Sequence, residues 1–403
     1  MKVLFINSVC GIGSTGRIVE SLYSFLKQKG HDVKIAYGRN VYDKIPQEDQ
    51  FCFYNKINIV HHGVMSRIFD NSGLNYSKSA TKKLIKFIDN FNPDVVNLHN
   101  LHGYYLNIPM LLKYLGEKNI KCVFTLHDCW LFTGHCSHFY YNKCDGYKND
   151  CSNCKFKKCY PKSLVMSRAK KNLQLKKQLL DGIKNKSFIC PSNWLKNFAK
   201  HSALLKNEKI DVVYNAIDYS VFNLDAKNYF DKSKLPADNY ILCVANYWNE
   251  TKGLDKIIEL SKVLPEDLKI VMVGYLKDKT ILNDKIVYIE HTNNVKELAF
   301  YYANAKVFYN PTLEDNFPTV NIESLACGTP IVLFKGCSGG EELIDGENGV
   351  IIDLNNYKYE RIADLLIKVY INKDFDRYKN HSDIKKICSL DRFCLDYLKV
   401  IRN

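Results

Sequence analysis

Short, nearly uninterrupted apolar runs, each followed by a loop and then by a stretch of helical periodicity, constrain this chain more than any other feature. The first is KVLFINSV at 2–9, which leads into the loop Gly11-Ile12-Gly13-Ser14-Thr15-Gly16. An amphipathic stretch from Arg17 to Lys29 follows, with Ile18, Leu22, Phe25 and Leu26 on one side, and then DVKIAYG at 32–38. That is a β-α-β opening. Similar runs recur at DVVNL (94–98), CVFTL (122–126), SFICPS (187–192), YILCVAN (240–246), KIVMVG (269–274), KIVYIEH (285–291), KVFYNP (306–311) and TPIVLF (329–334). Strands this apolar belong to parallel sheets covered by helices on both faces. The expected fold class is therefore α/β, with two Rossmann-like, doubly wound parallel-sheet domains. The boundary is expected between residues 186 and 187, with the second domain running to 378.

At 403 residues the chain has room for two such domains. No apolar run reaches the ~18 residues of a transmembrane helix. The start, MKVLFINSVCGIG, passes straight into a glycine loop and reads as a core strand, not a signal peptide. Fifteen cysteines in a chain of this size without an export signal point to reduced thiols and a cytoplasmic location. The net charge of +14 favours polyanionic partners: nucleotide diphosphates, an anionic bilayer surface or nucleic acid.

The stretch NPTLEDNFPTVNIESLACGTPIV at 310–332 carries the strongest site signal. It reads as strand, acidic loop, helix, strand. The helix start near Phe317, Pro318 and Thr319 offers unpaired N–H groups and partial positive charge to a phosphate. Asp315 and Glu323 lie eight residues apart on either side of it and suit sugar hydroxyls, which donate to carboxylates. The plainer alternative is a capping Asp315 and an exposed helical Glu323. Lys252-Gly253, after the first strand of the second domain, opens another helix and places a cation where a diphosphate site needs one; otherwise Lys252 is a surface lysine.

In the first domain the glycine loop fits G-x-G-x-x-G, a dinucleotide fingerprint. An NADP-dependent oxidoreductase is the resulting alternative, with Arg39 at the ribose phosphate because the second strand ends Tyr37-Gly38-Arg39 and not in an acid. DVVNL is followed by His99, Asn100 and His102, and CVFTL by His127-Asp128. Ligands in open parallel sheets sit beyond the carboxyl ends of strands, so these histidines share a crevice with the glycine loop. The insert from 129 to 161 is dense in thiols. Cys136, Cys144, Cys151 and Cys154 are candidate ligands of a structural zinc, with His135 or His138 as substitutes, although a second C-x2-C is missing. The alternatives are reduced thiols in a tyrosine-rich loop or a zinc-dependent nucleic-acid binder. The basic helix at 167–186 is either a solvated face or a peripheral contact with anionic lipid.

The D-x7-E of Asp315 and Glu323 resembles the acid-x7-acid signature of family 4 glycosyltransferases of the GT-B fold, where E-x7-E is usual. His127-Asp128 matches the histidine these enzymes carry after this strand. The insert with its HDCWLFTGHC lead resembles a subgroup that builds bacterial surface polysaccharides. Pro191-Ser192-x-Trp194-Leu195, then Tyr214-Asn215-Ala216-Ile217-Asp218 and Phe222, is similar to the family's joining segment, with Ala216 in place of the usual glycine. The loop bearing Gly339, Gly340, Gly346 and Gly349 also looks like the family pattern.

The resemblance implies two domains facing across a cleft, with the last helix, 379–403, crossing back onto the first. It implies retaining transfer from a nucleotide-diphosphate sugar to a lipid-linked or growing polysaccharide acceptor, with no nucleic-acid partner and no required cofactor. Catalytic roles would fall to His127, Asp315 and Lys252. The donor would be held by Gly13, Gly16, Arg17, Lys252, Asp315, Asn316, Phe317, Pro318, Thr319 and Glu323, and the acceptor by His99, His102 and Asp128. The family's usual arginine at the end of the 240–246 strand is replaced by Asn246 or a neighbour, and Arg17 could supply the lost charge. A sugar-nucleotide epimerase shares the fold and the donor.

Overall fold

The structure is a computed structural model that describes residues 1–69, 72–292, 294–371 and 375–402. The chain divides into two compact units, Met1–Val213 joined by the residues from Cys394 onward, and Tyr214–Phe393.

The first unit is built on seven strands: β1 (Lys2–Asn7), β2 (Asp32–Tyr37), β3 (Gln50–Cys52), β4 (Val95–Leu98), β5 (Lys121–Thr125), β6 (Lys186–Cys190) and β7 (Ile210–Val212). Their order is β3-β2-β1-β4-β5-β6-β7, with every pair parallel. Helices α1 (Gly13–Gln28), α2 (Lys56–Phe69), α3 (Lys78–Phe91), α4 (Ile108–Glu117), α5 (Ala169–Asp181) and α6 (Asn193–His201) connect and flank them. The amphipathic stretch folds as a helix, with Ile18, Leu22 and Leu26 of α1 buried as expected, together with Val19, while Phe25 is only half-buried. It begins one turn early, however, because the second half of the glycine loop is the first turn of the helix. Gly16 makes that possible: a Cβ there would lie 3.0 Å from the backbone nitrogen of Gly11.

The second unit holds six strands, β8 (Tyr240–Tyr247), β9 (Lys269–Tyr275), β10 (Ile286–Ile289), β11 (Val307–Asn310), β12 (Ile331–Phe334) and β13 (Gly349–Ile352). They lie in the order β10-β9-β8-β11-β12-β13, again parallel throughout. Its helices are α7 (Leu254–Ser261), α8 (Val295–Asn304), α9 (Thr319–Ala326), α10 (Tyr359–Ile371) and α11 (Arg377–Cys388). Helix α12 (Leu390–Arg402) begins in this unit and ends in the first.

Two boundaries differ from expectation. The division falls at Val213/Tyr214, not at 186/187, because β6 pairs with β5 and β7 with β6, so residues 187–213 complete the first sheet. At the other end, α11 stays in the second unit, held by Arg377, whose guanidinium donates to the carbonyls of Ala303 (2.5 Å) and Cys327 (2.9 Å). Only the residues from Cys394 join the first unit, where Lys121 Nζ donates to the Ile401 carbonyl (2.8 Å) and the Tyr397 hydroxyl to Thr125 Oγ1 (3.0 Å).

In each sheet the strand order reverses direction between two neighbours, β1 and β4 in the first, β8 and β11 in the second. Loops leaving those strands diverge to opposite faces and open a crevice at the carboxyl edge. The end of β9 shows how closely backbone packs near that point: Gly274 has φ +131°, and a Cβ there would fall 1.7 Å from the Ala245 carbonyl oxygen of β8. Gly274→Ala is expected to destabilise the second unit by more than about 2 kcal/mol in denaturant unfolding. Gly346→Ala, at φ +89° with nothing within 4 Å, adds only backbone strain and is expected to stay near ~1 kcal/mol.

Candidate functional site

Beside the switch point of the first sheet a polar chain runs through the carboxyl ends of β4 and β5. Asn97, inside β4, is fully buried and donates its amide to the Val123 carbonyl (2.9 Å) and Thr125 Oγ1 (3.0 Å). Those two acceptors fix the amide orientation, so Asn97 Oδ1 accepts from His99 Nε2 (3.0 Å). His99 Nδ1 is then an acceptor and receives a hydrogen bond from His127 Nε2–H (2.9 Å). In its neutral form His127 therefore carries its lone pair on Nδ1. Burial first, then the neighbouring His127, holds the His99 pKa well below its ordinary value. Burial, partly offset by Asp128, brings His127 down to about 4. Both rings are neutral at physiological pH.

Beside them His102 Nε2 lies 2.6 Å from Asp128 Oδ2. Burial pushes the Asp128 carboxyl up, but the charge and hydrogen bond of His102, with His138 and the Trp130 N–H, bring it down to about 2. His99, His102, His127 and Asp128 all line one cavity of about 20 Å³, roughly a single water's space. The glycine loop reaches the same edge, since Asn100 Nδ2 donates to Thr15 Oγ1 (3.3 Å). Helix α1 starts there with no side-chain cap and no acid in its first turn. Gly13 (φ +66°) permits the turn, and Arg17 is exposed.

In the second unit the loops after β8 and β11 are tied together. Leu313 N donates to the Thr251 carbonyl (2.8 Å), and Gly253 (φ +74°) leaves room for Pro311, whose carbonyl oxygen would lie 2.3 Å from a Cβ. This brings Lys252 Nζ to 2.5 Å from Asp315 Oδ2, with side-chain exposures of 32% and 25%. Lysine and acid, expected to serve separate parts of a ligand, are thus partners. An ion pair this exposed contributes ~1 kcal/mol or less and yields readily to a multivalent anion.

Asp315 is anchored by its backbone, N to the Cys337 carbonyl (3.2 Å) and its own carbonyl to Gly339 N (3.2 Å). Just beyond, α9 begins at Pro318-Thr319 with no side-chain cap and no acid in its first turn. Phe317 is buried against Tyr214 (centroids 5.1 Å), and Asn316 is buried beside it. Gly340 lets the next loop approach, since a Cβ would lie 2.2 Å from Asn321 Nδ2. Glu323 is half-buried in α9 and close to the Tyr302 phenol, whose pKa burial, then that carboxylate, holds well above its usual value.

The cysteine insert folds onto α5. Cys136, Cys144, Cys151 and Cys154 border a cavity of about 250 Å³ with His135 and Phe139. The thiol contacts within it differ from the expected quartet, because Cys136 hydrogen-bonds to Cys154 and Cys159. Those bonds bring Cys154 down to about 6 and Cys159 to about 7, while Cys151 accepts from Gly134 N (3.3 Å). Among the described residues no group of three or more His, Cys, Asp or Glu side chains is arranged to hold a metal ion. The basic helix also differs from its pattern. Lys176 is buried, donating to the carbonyls of Trp130 (2.5 Å) and Thr133 (2.9 Å) with its Nζ 3.5 Å from the Trp130 ring centroid, and Lys170 and Lys177 pair with Asp150 and Asp181. Asn97, Thr15 and Tyr397 were not foreseen; for Asn97 the signal was a lone amide inside an apolar strand.

Residues 15–221 match the family model described as Glycosyltransferase Family 4, and residues 225–386 the model described as Glycosyl transferases group 1. The chain is 25% identical over 217 residues to the capsular polysaccharide biosynthesis glycosyltransferase CapM of Staphylococcus aureus, covering 49% of this chain and 56% of that one. It is 30% identical over 208 residues to an N-acetylgalactosaminyltransferase of Campylobacter jejuni whose name specifies a diphospho-undecaprenol acceptor, covering 47% and 54%. The matches thus span little more than half the length of these relatives. The fold is similar to that of HepE from Anabaena solved with UDP-glucose, with TM-score 0.66 and 12% identity over 100% of this chain and 99% of that one. None of these matches supports the oxidoreductase alternative for the glycine loop.

The neutral histidines carry a pH signature. Unfolded imidazoles protonate near 6.5, the folded ones below that, so between pH 6.5 and about 4 the unfolded chain holds more protons and stability falls on acidification. His62, lowered to about 4 chiefly by burial, adds to the slope. The thermal midpoint is expected to drop across this window, each histidine contributing at most about 1.4 kcal/mol per pH unit. His127→Gln should flatten the drop, and identical slopes in both proteins would refute the assignment.

Proposed function

Because this chain belongs to glycosyltransferase family 4, we propose that it transfers a sugar, with retention of anomeric configuration, from a nucleotide-diphosphate sugar to a lipid-linked or growing surface-polysaccharide acceptor. The observation that carries the donor half is the Lys252–Asp315 pair beside the uncapped start of α9. An incoming diphosphate competes with Asp315 for Lys252. Once displaced, the carboxylate accepts hydrogen bonds from hydroxyls of the donor sugar, and Lys252 with the N–H groups of α9 neutralises the leaving diphosphate. In this scheme that role requires no metal ion. Glu323 binds the nucleotide ribose, a role that rests on the family resemblance. On the first unit, His127 lies beside the sugar and orients it or the acceptor, its ring positioned by the bond to His99, which Asn97 fixes in turn. The His102–Asp128 pair faces the acceptor. The names of two relatives, a capsule enzyme and an undecaprenol-linked glycan enzyme, support this acceptor class, and the UDP-glucose complex of HepE supports the donor class.

A panel of uridine and guanosine sugar nucleotides, tested by thermal shift and by nucleoside-diphosphate release, checks the proposal. One donor or its diphosphate product should stabilise the protein, and Lys252→Ala should weaken that effect and slow transfer by about 10²–10³. Equal stabilisation of both proteins would place the phosphate clamp elsewhere. Release of a new sugar nucleotide without any acceptor would replace transfer by epimerisation.

Asp315→Asn separates the two roles of the carboxylate. With its competitor neutralised, Lys252 should bind free nucleoside diphosphate up to about fivefold more tightly, while transfer falls. Weaker diphosphate binding in this variant would show that the ion pair does not guard the site.

A further inference from the structure

Helix α2 turns its polar side inward. It buries His62, Gly63 and Ser66 and exposes Ile57 (80%), Val60, Val64 and Ile68, an aliphatic stripe at spacings of three, four and four. Hydrogen bonds lock this orientation: His62 Nδ1 lies 2.9 Å from Ser77 Oγ, and Gly73 N donates to Ser66 Oγ (3.2 Å). At the far end of the helix Leu164 N and Ser163 Oγ both donate to the Arg67 carbonyl (2.6 and 3.3 Å). That contact brings the exposed run Leu164 (62%), Val165 and Met166 against the end of the stripe, so the two form one apolar patch. A continuous apolar surface on an otherwise polar protein marks an interaction site.

The charged residues on the two segments that form the patch are basic. Helix α2 contains no acid, Lys56 and Arg67 are exposed, and from Cys151 to Leu180 every charged residue is basic, with Lys158, Lys162 and Arg168 exposed beside the apolar run. Aliphatic side chains ringed by cations fit the boundary of a bilayer with anionic headgroups, where the apolar groups enter the acyl region and the lysines meet phosphate. A basic protein face would instead be met by an acidic partner with its own apolar patch. Among the described residues no helix is long and apolar enough to cross a membrane.

We propose that the exposed face of α2 together with Leu164, Val165 and Met166 docks the first unit onto an anionic membrane surface. This surface is distinct from α5, for which the sequence left a solvated face or a lipid contact open, and whose Lys176 is buried while Lys170 and Lys177 pair within the protein. The inference goes beyond the transfer reaction and is tested apart from it.

The test is flotation of the full chain with vesicles of phosphatidylcholine, alone or mixed in equal parts with phosphatidylglycerol. The wild type should float with the anionic vesicles, weakly with the neutral ones, and less well as salt is raised. A combined Val60→Asp, Val64→Asp and Leu164→Asp variant should lose at least about tenfold in vesicle affinity, while Ile281→Asp, at an exposed apolar position of the second unit, should not. All four side chains are exposed, and circular dichroism with unchanged nucleotide binding checks that the variants fold. Equal flotation of wild type and triple variant would overturn the proposal, as would a wild type that stays in solution with both vesicles. A wild type that self-associates in sedimentation velocity, with the triple variant monomeric, would assign the patch to a second copy of the chain. Vesicle binding without any nucleotide binding would count against the transfer reaction and leave the docking surface standing.

Discussion

Because every strand pair in both sheets is parallel, each strand requires a crossover connection, and all strands of a sheet finish at the same edge. The groups that carry chemistry inherit their positions from this. His99 and His127 end neighbouring strands β4 and β5, so their rings meet at 2.9 Å although 28 residues separate them. Lys252 and Asp315 follow the neighbouring strands β8 and β11 and meet although 63 residues apart. Neither pair needs a special loop to find its partner. The sheet's direction and the reversal of strand order deliver both.

The two edges differ in electrostatic character. In the first unit the polar chain lies in a low-dielectric interior, where charging an imidazole is expensive, and neutral donor-to-acceptor bonding is the stable solution. Asn97 sets the direction of the whole chain because its amide is fixed by a backbone carbonyl. In the second unit the ion pair is a quarter to a third exposed, where water keeps both groups charged and exchangeable. One edge is built to hold a single protonation state, the other to swap partners.

Much of this was legible in the sequence. The apolar runs located most of the strands, and the residues immediately after them (His99, His102, His127-Asp128, Lys252, Asp315) are those the fold assembles at the two edges. What stayed hidden depends on pairing, which local pattern does not encode. SFICPS looks the same whether it closes one sheet or opens another, and only its pairing with β5 moves the boundary to Val213. Lys252 and Asp315 were visible as charges but not as partners. The lysines of α5 looked solvated because a charge pattern cannot show that Lys176 lies over the Trp130 ring. The thiols were visible as a cluster, yet the contact of Cys136 with Cys159 depends on the path of the insert and not on C-x2-C spacing.

Helix α12 places Tyr397 against Thr125, the residue that also receives the Asn97 amide, and stacks it 6.5 Å from His99. Those residues leave the ribosome after the entire second unit. The nascent first unit can build its seven strands early, but it lacks the phenol that buttresses its imidazole relay until translation of the second is over. The last contact around His99 is thus added only in chains whose other half has already been made.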